Sequence, residues 1–135
     1  MSLNKVMLIG NVGGEPKIIE FESGRMATFS LATNKSWKDK ESGEWKNKTE
    51  WHKIVANSQN LINLIEKYLI KGMKLYVEGE IQTRKWIDKE GKDSYSTEIM
   101  LNNFSGKIEI LDNKKSENLS NDEVDNQNLD DNIPF

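Results

Sequence analysis

The chain has 135 residues, a formal net charge of -3, no cysteine and one histidine. That length suits one domain with a real core; the absent thiols exclude disulfides, thiolate metal sites and cysteine nucleophiles, and one histidine leaves little for a histidine-based metal centre. Charge is split along the chain: residues 1–111 hold 17 Lys+Arg against 15 Asp+Glu, and residues 112–135 hold 2 against 7, so the acidity belongs to the tail.

Leu3 to Ile9 is an almost continuous apolar run ended by Gly10, the pattern of a strand buried on both faces. Asn11 to Pro16 reads as a turn and Lys17 to Glu22 as a brief strand, with Ser23-Gly24 turning into Met26 to Thr33. There Ala27, Phe29 and Leu31 share a face by period-two alternation. Asn34 to Lys48 is polar and reads as a long loop with a turn at Ser42-Gly43; Thr49 to Ala56 is a third main strand. Asn57 or Ser58 caps a predicted helix carrying Leu61, Ile62, Leu64, Ile65, Tyr68 and Leu69 at helical spacing, closed by Lys71-Gly72. Met73 to Ile81 alternates and continues into Gln82 to Ile87; a turn near Glu90-Gly91 and a return over Ser94 to Leu101 make a long hairpin that projects beyond the core. Lys107 to Leu111 ends the apolar patterning. The following 24 residues hold too little apolar surface to offset the entropy of ordering, and residues 112–135 are expected to be disordered.

Five main strands with a helix between the third and fourth match an all-β, five-stranded Greek-key barrel of the oligonucleotide-binding (OB) kind, with a disordered acidic C-terminal tail. The expected division is residues 1–111 as a binding domain, 112–129 as an acidic linker and 130–135 as a partner-binding peptide. With no run of roughly 18 apolar residues and no signal-like N-terminus, no membrane association is expected, and the expected location is the cytoplasm.

Trp37, Trp45 and Trp86 lie in polar, lysine-bearing segments, among Lys35, Lys38, Lys40, Lys46 and Lys48 or beside Arg84 and Lys85. Aromatic faces interleaved with cations suit single-stranded nucleic acid, whose bases stack and whose backbone supplies phosphates. Core or interface packing is the competing use of these rings, and for Trp45 the two are evenly matched. Trp51 shares a face with Lys53 and Val55, and periodicity alone allows it to pack inside or to stand on a binding face. Phosphate contacts are assigned to Lys5, Lys35, Lys48, Lys53, Lys71, Arg84 and Lys85, mostly point charges rather than planar forks. Gly10-Asn11-Val12-Gly13-Gly14 lacks the Lys-Ser/Thr of a phosphate loop and reads as a turn. Glu78 and Glu80 read as a solvated strand face rather than an acid/base pair, and His52 as a structural or interface residue. No catalytic set, metal site or cofactor is expected. A small nuclease and a replication-restart or RNA-binding barrel stand as the alternatives.

These stretches resemble the bacterial single-stranded DNA-binding proteins. The similarity rests on Asn4-Lys5-Val6 leading to Gly10-Asn11, Leu31-Ala32-Thr33 before Ser36-Trp37, Thr49-Glu50-Trp51-His52, Tyr68-Leu69 before Lys71-Gly72, Val77-Glu78-Gly79 and Thr83-Arg84-Lys85-Trp86. It resumes at Asp130-Asp131-Asn132-Ile133-Pro134-Phe135, where an acidic stretch and an apolar end suit capture in a small basic-rimmed pocket. The resemblance implies a homotetramer that binds single-stranded DNA without reading its sequence, at the bacterial nucleoid. It implies base stacking on Trp37, Trp51 and Trp86 and a subunit interface near His52. It also implies that replication, recombination and repair proteins bind Asp130, Asp131, Ile133, Pro134 and Phe135. Two departures stand out. Asn57 takes the place of a stacking phenylalanine common in the family, so one platform is missing or is replaced by Trp45. Asn132 stands where an acid is usual.

Overall fold

The computed structural model describes residues 1–111. The expected disorder of residues 112–135, the linker and the peptide Asp130 to Phe135 lie outside the described residues. The elements are β1 (Val6–Val12), β2 (Lys17–Phe21), β3 (Gly24–Lys38), β4 (Trp45–Ala56), α1 (Gln59–Tyr68), β5 (Lys74–Ile87), β6 (Asp93–Leu101) and β7 (Lys107–Ile110).

Hydrogen-bonded neighbours run β1-β3-β4-β6-β5, and β5 pairs back onto β1, so five strands close into a ring. All of these pairings are antiparallel except β4 with β6. This is the expected OB barrel, with α1 between its third and fourth strands. Two short strands lie off the ring: β2 folds onto β3 as a wing, and β7 borders β5.

Alternation sends Ala27, Phe29 and Leu31 of β3 inward against Ile54 and Ala56 of β4, Leu75 and Val77 of β5 and Ile99 and Leu101 of β6. Ile62 and Ile65 of α1 join the same cluster, so the apolar stripe of the helix packs against the barrel core. Ser58 takes the N-cap position, but its side chain makes no cap hydrogen bond; only its carbonyl receives the Ile62 N–H, at 2.8 Å. Two close approaches explain glycines. A Cβ on Gly10 would collide with the carbonyl of Ala32, and one on Gly79 with the Met100 carbonyl and the Leu101 side chain. Arg25 ties the β2–β3 wing to α1 through Glu66 at 3.1 Å and Asn63 at 2.8 Å.

Two expectations from the sequence are corrected. The first strand begins at Val6 and runs to Val12, taking in residues read as a turn, and it is not buried on both faces, because Leu3, Met7 and Ile9 are exposed. Asn34 to Lys48 is not a long loop. β3 and β4 stay in unbroken register from Ala27↔Ala56 to Lys38↔Trp45, forming a two-stranded ribbon closed by a short turn. Asp39 organises that turn: its carboxylate accepts the Glu41 N–H and the Ser42 hydroxyl, and its carbonyl accepts the Gly43 N–H. The Ser42 hydroxyl, then the Glu41 amide, hold the Asp39 carboxyl below its ordinary value. The second arm, β5–β6, matches its expected outline, and Asp88 closes it by receiving the Glu90 and Lys92 N–H groups, each at 2.9 Å.

Candidate nucleic-acid interface

Alternation also decides where the tryptophans stand. On β4, Trp45, Trp51, Lys53 and Val55 fall on the outer face, opposite Ile54 and Ala56; on β3 the matching outer residues are Met26, Thr28, Ser30, Ala32 and Lys38. Trp51 is therefore outside the barrel, 61% exposed, with its ring so close over Gly13 that any Cβ there would strike it. On the second arm Gln82, Arg84 and Trp86 share the outer face with Met100, Glu98, Ser96 and Ser94 of β6, and Trp86 is 48% exposed.

Between the wing and this arm the outer face dips into a cavity of about 310 Å³. Thr28, Lys53 and Val55 lie along its floor, Ile19 and Met26 on the wing side, and Gln82 and Arg84 on the arm side. A second depression, lined by Glu15, Lys17, Ile19 and Lys53 among others, continues it along the wing. Within the groove Glu98, only 2% exposed, receives Arg84 at 3.1 Å and Lys53 at 3.2 Å on the same oxygen.

Trp37 falls on the reverse face of the ribbon from Trp45 and Trp51 and is 40% exposed. Across the strand from it is Lys46, and next along the same face Lys35 stands directly opposite Lys48. Like charges in directly opposed positions repel, so this pair favours an anion between or over them. Lys48 also reaches Glu50 at 3.7 Å and Lys46 reaches Asp39 at 3.4 Å, exposed pairs of the kind worth little that a phosphate displaces readily.

The remaining candidates are scattered. Lys85 pairs with Asp93 at 3.2 Å on the reverse side of the arm. Lys5 pairs with Glu78 at 3.4 Å, beside Lys107 and away from the groove. The Tyr76 hydroxyl and then Lys5 lower the Glu78 carboxyl below its ordinary value, and Glu78 in turn raises the Tyr76 phenol. Lys71 adjoins Gly72, whose N–H donates to the Val12 carbonyl at 2.7 Å, which places it near the Gly13–Trp51 end of the groove. His52 faces the barrel side of β4, half-buried, with Nε2 at 2.9 Å from the Thr33 hydroxyl. Trp45, 70% exposed, is at the ribbon tip. Asn57 follows the other end of β4, and at ~3.3 Å per residue the two are roughly 40 Å apart. Trp45 thus adds a platform in a different place rather than filling the one at Asn57.

Sequence reasoning missed Ile19, Met26 and Glu98. The first two looked like ordinary strand apolar residues. Glu98 borders the apolar run Ile99-Met100-Leu101 that ends the arm, and register pairs it with Gln82, on the same face as Arg84.

A closed OB barrel bearing exposed tryptophans and cations on its outer face and arms defines a nucleic-acid-binding class. The chain belongs to the Single-strand binding protein family, whose model matches residues 3–106. It is 44% identical to the single-stranded DNA-binding protein of Rickettsia typhi, over 99% of this chain and 98% of that one. It is 47% identical to that of Rhizobium meliloti, over 86% of this chain and 67% of the relative. Among solved structures it is similar to a Plasmodium falciparum SSB in complex with ssDNA, with a TM-score of 0.75 and 49% identity, covering 83% of this chain and 97% of that one. The family is one of DNA-binding proteins, not enzymes; membership in it, rather than any empty site, answers the nuclease alternative.

Proposed function

We propose that this chain coats single-stranded DNA without reading its sequence, stacking bases on Trp51 and Trp86 at the groove and on Trp37 on the reverse face of the ribbon, with Trp45 as a further platform at its tip. The observation that carries this reading is the pairing of exposed rings with cations in two places, on the reverse face of the ribbon and on the outer face that runs from Trp51 to the second arm. Lys35, Lys46 and Lys48 surround Trp37, and Arg84 and Lys53 lie between Trp51 and Trp86. Lys35, Lys48, Lys71 and Lys85 contact phosphates; Lys5 does so only from the side of β1. A strand that touches both faces must wrap around the ribbon.

Assembly into a homotetramer is supported by β1, which pairs with β3 only at Asn11 and Val12 and so leaves an open edge beside exposed Met7 and Ile9. His52 and Thr33 lie at the base of the ribbon near that edge. Asp130, Asp131, Ile133, Pro134 and Phe135 recruit replication, recombination and repair proteins, with residues 112–129 as the linker. The Rickettsia and Rhizobium relatives support a bacterial cytoplasm, at the nucleoid, as the place of work.

The test is a tryptophan-fluorescence titration with oligo-dT and with duplex of equal length. Oligo-dT quenches strongly and duplex weakly, and affinity falls with salt at a log-log slope of roughly -0.7 per phosphate neutralised. Equal quenching by both nucleic acids removes the stacking mechanism. Tail recruitment is tested separately, by pull-down of DNA-processing enzymes with full-length protein and protein lacking Ile133-Pro134-Phe135; equal recovery removes it.

A further inference from the structure

We infer that Glu98 is a positioning residue that limits the positive charge offered to DNA: it holds Lys53 and Arg84 together and leaves one net cation, instead of two, to the phosphates of a bound strand. This rests on the single-strand-binding reading and concerns how tightly the strand is held and how fast it is released.

The place of Glu98 in the fold argues for it. β4 and β6 are paired from Ile54↔Ile99 to Ala56↔Leu101. Lys53 and Glu98 come immediately before, where the two strands part into the ribbon and the second arm. Arg84 reaches the same point from β5, where Ser96 is its direct partner on β6. Arg84 Nη2, Lys53 Nζ and the Ser96 hydroxyl all converge on Oε2 of Glu98, at 3.1, 3.2 and 3.3 Å. The Glu98 side chain is 2% exposed, whereas those of Lys53 and Arg84 are 46% and 52% exposed. The anion is therefore sealed beneath two cations that face the strand.

A carboxylate so far from water depends on its partners, because removing one member of a buried ion pair leaves an uncompensated charge and is strongly destabilising. A phosphate can draw on one of the two cations while the other stays with Glu98. A second phosphate would compete with the carboxylate for the last cation and be repelled by it at short range. Lys35 and Lys48 on the ribbon are under no such restraint. They stand opposite each other, and Glu50, which reaches Lys48 at 3.7 Å, is an exposed residue that can swing into water. Glu98 cannot, and the consequence is a weaker contact that releases faster.

The experiment is a salt series of oligo-dT binding by full-length protein, with urea unfolding as the check on folding. Glu98→Gln keeps the volume and an acceptor oxygen and removes the charge. It steepens the log-log slope by roughly 0.7, one further phosphate neutralised, and tightens binding roughly fivefold at about 0.1 M salt, which is that slope carried over one decade. An unchanged or shallower slope overturns the proposal whatever the affinity does, since a clasp that only held the arms in place would weaken binding without changing the number of phosphates. Lys53→Gln reads the same point with Glu98 intact. Its slope is shallower by roughly 0.7, because Arg84 is then wholly committed to Glu98, and adding Glu98→Gln restores the wild-type slope while removing both members of a buried pair. If the double variant keeps the reduced slope, Glu98 was not withholding Arg84 and the proposal falls. Failure of the single-strand reading looks different: neither wild type nor any variant then prefers oligo-dT to duplex.

Discussion

The barrel and its two arms are built from the same strands under opposite constraints. Inside the ring, alternate residues of β3 and β4 are sealed against the core, as Leu31 and Ile54 are; a few residues further along the same strands, Asn34 to Lys38 and Trp45 to Glu50 are exposed on both faces. The ribbon keeps its register without a core, through backbone pairing, the Ser36–Asn47 and Thr49–Asn34 hydrogen bonds and the Asp39 turn. On the proposed reading, stability and DNA contact are thereby separated. The barrel carries the folding free energy, and the arms and outer face carry side chains whose apolar surface is free for bases.

The largest expected effect comes from breaking the barrel. Ile54→Ala, at a fully buried position, should destabilise the fold by roughly 2–5 kcal/mol in urea unfolding, with binding per folded molecule little changed. Trp86→Ala and Trp51→Ala should show the converse: a loss of ~1–3 kcal/mol in binding, a range taken from single-strand-binding folds themselves and not inferred from this chain, with an unfolding midpoint close to wild type. A large fall in stability for either ring would place it structurally with the barrel.

Gly13→Ala sharpens the boundary between the regions, because the added Cβ must push the Trp51 ring aside while the Ser30 hydroxyl blocks the other side. Its affinity for oligo-dT should lie between wild type and Trp51→Ala; an affinity equal to wild type would show that the ring need not rest where it does. The smallest effect is in the ribbon turn. The Asp39 carboxyl is lowered in the folded chain, so its contribution is present above the ordinary value of 3.8 and is lost as pH falls through the lower folded value. Amide exchange of Gly43 and Glu41 should accelerate over that interval, and Asp39→Asn should flatten the response.

Sequence patterning was legible wherever one face of a strand is buried and the other wet. Ala27, Phe29 and Leu31, and Met73 to Ile81, announced themselves by alternation, and α1 by its apolar stripe. The ribbon escaped because a strand solvated on both faces has no hydrophobic period; polar residues from Asn34 to Lys48 look the same in a loop. β1 escaped for the opposite reason. Its run is apolar on both faces, but within one chain only the face bearing Val6 and Leu8 packs against the core.

The sequence by itself determined the five-strand order, the helix between the third and fourth barrel strands, the aromatic–cation clusters and the likeness to single-strand binding proteins, since these depend on residue type and local spacing. Only the tertiary structure decided that Trp51 stands outside, that Trp37 faces away from it, that Trp45 is remote from Asn57, and that Glu98 joins Lys53 to Arg84. Each of those depends on which strands are neighbours and in what register. Barrel closure sets this by bringing β4 beside β6, so that Ile54 pairs with Ile99, 45 positions further along the chain.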